Sequence, residues 1–568
     1  MSMEDEPMFK HRRLYGSAFA SEKLNIRSDS FVPQSRPTRR TLIALFAAFL
    51  IAFSGAQASQ AADVPAGTYD GDSISEGDHI RTQDASDKRE YTFNGDTTFN
   101  SDQDVIAIAP GSQVTINMAD SATLTLNASS NNEESGVKAS AGSWFELHNG
   151  HLNINAGGVN YAKYALDAWA GAQMLIYNES VLLQNAEAGL LVKPDGDGIS
   201  DGADITIETG SLTIKDVFQG IHTEGTDTEH PSMVTIDADT VSITAVKSDP
   251  SYAEIDQEKC AAIYSINKSE NQPDSISIIA DTSIYLEGGL YSIYQTGRNE
   301  LGISAPTINA VSDNFGLYLA GANNVSFYGD DVRIAGMMGD GMRGLDNNYG
   351  AGNEVKISAA KSLSVHGGTY GLYSSISDDG RDKYTFFSPN ITLTAEQNDG
   401  IFLQNSDLTM SGSETELAKS IIINGAHSGL HAFRNAKAEL NAEKITITGG
   451  DGGVAAVGAN SDGGSVKLNA AQVAVKGGRW SVYTTDSGTV TVGKSGALVR
   501  LSGNVQSGTQ DDDGGTAVLN LDAAGSFLKG QSYDVDWDSR TRDNRGITMN
   551  LGDGAYWSFS GESTMRFL

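Results

Sequence analysis

One phrase recurs along this chain at a nearly fixed interval: a small residue, then a branched apolar anchor, often followed by an aromatic residue. It reads AGLLV at Leu190, QGIHT at Ile221, AAIYS at Ile263, YSIYQ at Ile293, FGLYL at Leu317 and RGLDN at Leu345. It continues as YGLYS at Leu372, DGIFL at Ile401, SGLHA at Leu430, GGVAA at Val454 and WSVYT at Val482. Successive anchors stand mostly 24–31 residues apart, and the longer step from Ile221 to Ile263 takes in the insertion SDPSYAEIDQEK. Looser copies at Val137 and Leu166 carry the series toward the N-terminus. A fixed period of this size means that one supersecondary unit is stacked on itself many times.

Each period divides into three short strands. SIYQT, LGISA and TINAV make one unit; GLHAF, KAELNA and KITITGG make another. Apolar and polar residues alternate inside them, as in Val241 and Ile243 against Ser242 and Thr244, so one face turns inward and the other outward. Three strands per turn, repeated in register, predict an all-β parallel β-helix (β-solenoid) of roughly a dozen three-strand rungs, with inward Ile, Leu and Val in columns. Double glycines at Gly288, Gly367, Gly449 and Gly477 fit corners, where the backbone needs positive φ or close packing. A sandwich of antiparallel hairpins gives no reason for the glycine phrase to return in register.

Leu42–Phe53 (LIALFAAFLIAF) is an apolar run preceded by Arg36, Arg39 and Arg40 and followed by Ala56-Gln57-Ala58. This is the layout of a secretory signal, and the run is shorter than an ordinary membrane span. Residues 1–58 are therefore expected to be a long leader plus signal peptide cleaved after Ala58. A retained signal anchor is the alternative. The expected organisation continues with a cap over 59–90, repeats over 91–525 and a C-terminal end over 526–568.

The formal net charge of −33 disfavours nucleic acid and anionic lipid. Cys260 is the only cysteine, so no intramolecular disulfide can form, and it reads as a small apolar residue.

The C-terminal segment GAYWSFSGESTMRFL resembles a signature of spaced Gly, Trp, Gly, Ser and Leu found near the end of Gram-negative autotransporter passengers. Trp557, Gly561, Ser563 and Leu568 take its marked positions. The export signal and the long, cysteine-poor, Gly/Ser/Thr/Asn-rich repeats are similar in style. The resemblance implies a right-handed parallel β-helix displayed at the cell surface or outer membrane, or released outside the cell. Family members continue into a helical linker and a membrane β-barrel. No barrel-like strand pattern follows the repeats up to Leu568, so membrane attachment is expected only through a barrel beyond this chain or a retained anchor.

The residue after each anchor is repeatedly aromatic: His222, Tyr264, Tyr294, Tyr318, Tyr373, Phe402, His431 and Tyr483. Inward anchors place these residues outward on one face, an interrupted stripe broken at Asp346 and Ala455. Such a stripe either stacks rung on rung for stability or offers a platform to glycans or to host and community surface molecules. A non-enzymatic adhesion or display stalk is the leading expectation, beside a passive spacer.

Chemistry has weaker footing. GDDVRI, with Asp330 and Asp331, looks like one piece of a polygalacturonase signature whose companion motifs are missing, which leaves a secreted carbohydrate-active enzyme as the alternative. Asp195, Asp197 and Asp201 in KPDGDGISDG stand near calcium-loop spacing, but a terminal bidentate Glu is missing and a solvated acidic loop is the simpler reading. Asp511-Asp512-Asp513 also reads as a solvated loop. His148 with His151, and His427 with His431, lack an evident third zinc ligand. No cofactor is expected.

Overall fold

The structure, a computed structural model, describes Tyr69 and residues 78–128, 135–157, 163–194, 202–225, 230–246, 260–269, 272–345, 352–376, 380–459, 462–508, 514–534, 546–559 and 561–563. The leader with its cleavage site at Ala58, the aspartates Asp195, Asp197 and Asp201, Asp511–Asp513 and Leu568 lie outside the described residues. So does the whole insertion SDPSYAEIDQEK, yet Ile221 and Ile263 still pair directly across it.

Among the described residues every element is a strand, and apart from the short antiparallel pair of Gly452–Ala459 with Asp462–Gly463 the strands stack in parallel as a β-solenoid. The unit read as SIYQT, LGISA and TINAV forms Tyr291–Gly297, Asn299–Ser304 and Thr307–Ser312. Each pairs with its counterpart one turn later, at Phe315–Gly321 and along the two halves of Asn324–Gly336. Parallel pairing extends the stack beyond the repeats marked in the sequence. It starts with Ile80 against Ile106 and ends with Phe527–Lys529 against Tyr556–Ser558.

Strict alternation is what closes this coil. Thr123–Ala128 and Thr307–Ser312 each bury every second residue. The inward residues meet in columns. Ile207, Ile236, Ile278, Ile303, Phe327, Ile357 and Phe386 form one, and Ile243, Leu286, Ala310, Ile334, Val365 and Leu393 another. All are essentially fully buried in one continuous core. The backbone N–H and C=O groups of a rung's strands pair with the neighbouring rungs, so a single turn has no stability of its own.

The anchors form the first column of each turn: Leu166, Leu190, Ile221, Ile263, Ile293 and Leu317, then Leu372, Ile401, Leu430, Val454 and Val482. One position departs from the sequence reading. The residue between Leu317 and Leu372 is Met342, not Leu345. Two glycine phrases compete in GDGMRGLDNN, and the unbranched Met342 fills the core at 1% exposure while Leu345 is only half-buried.

The double glycines serve close approach rather than positive φ. Gly367 is not among the positive-φ glycines, and a Cβ there would overlap the carbonyl oxygen of Tyr370. Gly288, Gly449 and Gly477 meet the carbonyls of Tyr291, Gly452 and Trp480 in the same way. At this corner the chain folds back on the residue three positions ahead, and only glycine leaves it room.

Candidate functional site

Because each anchor points inward, the residue after it stands on the opposite face of its strand, away from the main core. The register sets these residues one above another: Lys138, Asp167, Leu191, His222, Tyr264, Tyr294 and Tyr318. Arg343, Tyr373, Phe402 and His431 follow, and Tyr483 pairs through Ala455 further along. All eight expected stripe residues therefore share one column. The correction at Met342 also changes the first expected break: Arg343 occupies the rung assigned to Asp346, which lies outside the described residues.

The aromatic rings stack along the axis of the coil. Tyr264 and Tyr294 lie 4.9 Å apart at 9°, Tyr294 and Tyr318 5.2 Å apart at 14°, and Tyr373 and Phe402 5.2 Å apart at 13°. The ends of the run turn edge-on, with His222 against Tyr264 and His431 against Phe402. A parallel column, the second residue before each anchor, supplies Tyr291, Phe315 and Tyr370, which pack on the same rings. Ala261, Tyr264 and Tyr291 form a small apolar cluster separate from the main core, with Tyr294, Phe315 and Tyr318 packed on it. Ring faces thus meet ring faces on adjacent rungs; His222 and Tyr264 are buried, whereas Tyr294, Tyr318, Tyr373, Phe402 and His431 are half-buried. Stacked aromatic pairs contribute about 0.5–1.5 kcal/mol each beyond area burial.

Charged groups punctuate the row. Arg343 lies 5.2 Å from the Phe315 ring and 5.0 Å from the Tyr373 ring, which bridges the two aromatic runs. Beneath it, burial pushes the Asp340 carboxyl up to about 6 against the pull of Arg343, 3.5 Å away. At the far end Asp399 is buried, but it accepts from Ser428 N, sits 2.9 Å from His427 Nδ1 and 3.5 Å from His431 Nδ1. These partners outweigh burial and hold it below its ordinary value. At the near end the Glu224 carboxylate lies 3.1 Å from His222 Nε2, which holds it down at about 2. Two turns earlier, Trp169 has Lys138 of the preceding turn and Lys193 of the following turn at 5.1 and 3.9 Å from its ring. Trp169 Nε1 donates to Asp167, whose carboxyl burial pushes up to about 6.

The other candidates are engaged elsewhere. Asp331 accepts from Ser362 Oγ at 2.6 Å and Asp330 pairs with Lys361 at 3.0 Å, so both serve neighbouring rungs. His148 stacks on Tyr177, and His151 bonds Ser180 Oγ at 2.8 Å on a separate strand. Among the described residues, no group of three His, Cys, Asp or Glu side chains is placed to hold a metal ion. Cys260 is buried. In the C-terminal motif, Trp557 donates to the Gly530 carbonyl at 2.8 Å and packs on the core, Gly561 has φ 100°, and Ser563 Oγ accepts from Ser532 N.

One polar feature escaped the sequence reading. Ser232, Asp274, Asn299, Asn323, Asn353, Asp382 and Ser406 occupy one fully buried corner column. Asn299 Nδ2 donates to Asn323, Asn323 to Asn353, and Asn353 to Asp382, at 2.8–3.0 Å. The signal was available: these Asp and Asn residues recur with the same period as the anchors.

Comparison of the chain with protein-family models, with curated proteins and with solved structures gives no match.

Proposed function

We propose that this is an exported, non-enzymatic β-solenoid, similar to an autotransporter passenger, whose anchor strands bind glycans or surface molecules on their outer face. The observation that supports it is the single outward column running from His222 to His431, aromatic at every rung except Arg343. A parallel solenoid holds such a row rigid over many rungs, so an extended ligand can make the same contact repeatedly without an ordering cost for the protein. The signal-like Leu42–Phe53 segment and the motif at Trp557, Gly561 and Ser563 support export and surface display. A passive display spacer is the second reading. It draws on the ring-to-ring stacking, which stabilises the ladder without any ligand.

The test is replacement of Tyr294, Tyr318 and Tyr373 together by leucine, which keeps apolar bulk but removes ring edges and hydroxyls. Loss of glycan or cell binding with an unchanged β-sheet circular dichroism spectrum supports the binding face. Retained binding removes the row from the function and leaves the spacer reading.

A further inference from the structure

If the outer row is a glycan-binding face, its charges state which glycans it takes. The whole chain carries 39 Lys and Arg against 72 Asp and Glu. The row inverts that balance. The column itself bears Arg81, Lys138 and Arg343 against one carboxyl, Asp167, which is buried with Lys138 and Lys193 beside it; the carboxyls next to the column, Glu224, Asp340 and Asp399, are each matched by His222, Arg343 or the pair His427 and His431.

Arg343 is the focus. Phe315 and Tyr373 flank its guanidinium at 5.2 and 5.0 Å. Its nearest carboxylate oxygen, Asp340 Oδ2, lies 3.5 Å from Nε, and both of those atoms lack a hydrogen-bond partner. Among the described residues the guanidinium donates no hydrogen bond, although its side chain remains 29% exposed. A guanidinium has five N–H donors in a fixed fork that suits a bidentate oxyanion. Held beside both rings, with Asp340 on the Nε side, Arg343 keeps its outer N–H groups to receive one.

We propose that the row binds an anionic polysaccharide, one bearing carboxylate or sulfate groups, with Arg343 as the anion anchor and Lys138 as a second contact. The proposal rests on the reading of the row as a glycan-binding face. Seven rungs separate Lys138 from Arg343 in the register. At about 4.8 Å per rung this is about 34 Å. Short oligosaccharides reach only one of the two cations, and chains longer than this span engage both, so affinity rises with ligand length up to the span.

The experiment measures binding of the purified full chain to polygalacturonate, to dextran sulfate and to neutral dextran, with size-fractionated oligogalacturonates as a length series. Arg343→Gln and Lys138→Gln are compared with the unaltered protein, each checked for an unchanged circular dichroism spectrum. The expected result is binding to at least one anionic polymer in preference to dextran. Loss of the charge-assisted contacts at Arg343 lowers that affinity about tenfold or more, and Lys138→Gln weakens long chains but not short ones. Preference between polygalacturonate and dextran sulfate tells carboxylate from sulfate. Equal binding to dextran, with both variants unaffected, overturns the anionic assignment while leaving a glycan-binding face. Absence of binding to all three polymers overturns the glycan reading itself. Should Arg343→Gln perturb the fold, the length-dependent effect of Lys138→Gln decides.

Discussion

Asp274 offers the most direct test of how the buried corner is built. It starts the strand Asp274–Gly288, is 1% exposed, and accepts Ser232 N at 3.0 Å through Oδ1, while Oδ2 has no partner. Burial, aided by the nearby Glu224 charge, pushes its carboxyl from 3.8 to about 7 in spite of the Ser232 hydrogen bond. A folded value above the unfolded one means that the native state holds the proton more tightly. The associated stability is fully present below about pH 4 and is lost as pH rises through about 7. At about 1.4 kcal/mol per pH unit, the loss from this group reaches about 4 kcal/mol above pH 7. Asp274→Asn keeps the shape, cannot ionise, and extends the asparagine column of Asn299, Asn323 and Asn353 by one rung. Guanidinium unfolding midpoints at pH 5 and pH 8 measure the effect. The unaltered protein is expected to lose stability between the two, and the variant to lose clearly less and to exceed it at pH 8. An identical pH dependence in both proteins would refute the argument, because it would mean that Asp274 is ionised and solvated in the native state.

Two further substitutions test register and corner geometry. Met342→Ala removes a fully buried side chain and is expected to cost about 2–5 kcal/mol, whereas Leu345→Ala, at a half-buried position, is expected to cost clearly less; thermal melts of the pair decide which residue is the anchor. Gly367→Ala places a Cβ against the Tyr370 carbonyl and is expected to destabilise by about 1–3 kcal/mol or more, while Gly302→Ala, where a Cβ meets nothing within 4 Å, serves as the neutral comparison in the same unfolding assay.

The period and the alternation carried most of the fold. Strands at Ser292–Asp313 and Gly429–Gly450 fall where the two-residue pattern puts them, because inward and outward positions in a parallel coil differ as sharply as core from water. The anchor at Met342 was not legible, since composition cannot choose between Met342 and Leu345 when both follow a glycine. Pairing decides it: only Met342 keeps Leu317 and Leu372 in step. The corner column was legible in spacing but not in meaning, because an isolated Asn or Asp reads as a turn residue until burial places it beside its equivalents.

The candidate site divides in the same way. Sequence alone determined that His222, Tyr264, Tyr294, Tyr318, Tyr373, Phe402, His431 and Tyr483 belong to one outward column, since a fixed offset from a repeated anchor fixes the face. Only the tertiary structure decided that Arg343 completes the row, that the ring faces are turned to one another, and that Asp340 lies buried beneath the guanidinium. Periodicity specifies which side of a strand a residue occupies. Contact distance, ring orientation and burial depend on what the neighbouring turns, some 24–31 residues away, bring alongside it.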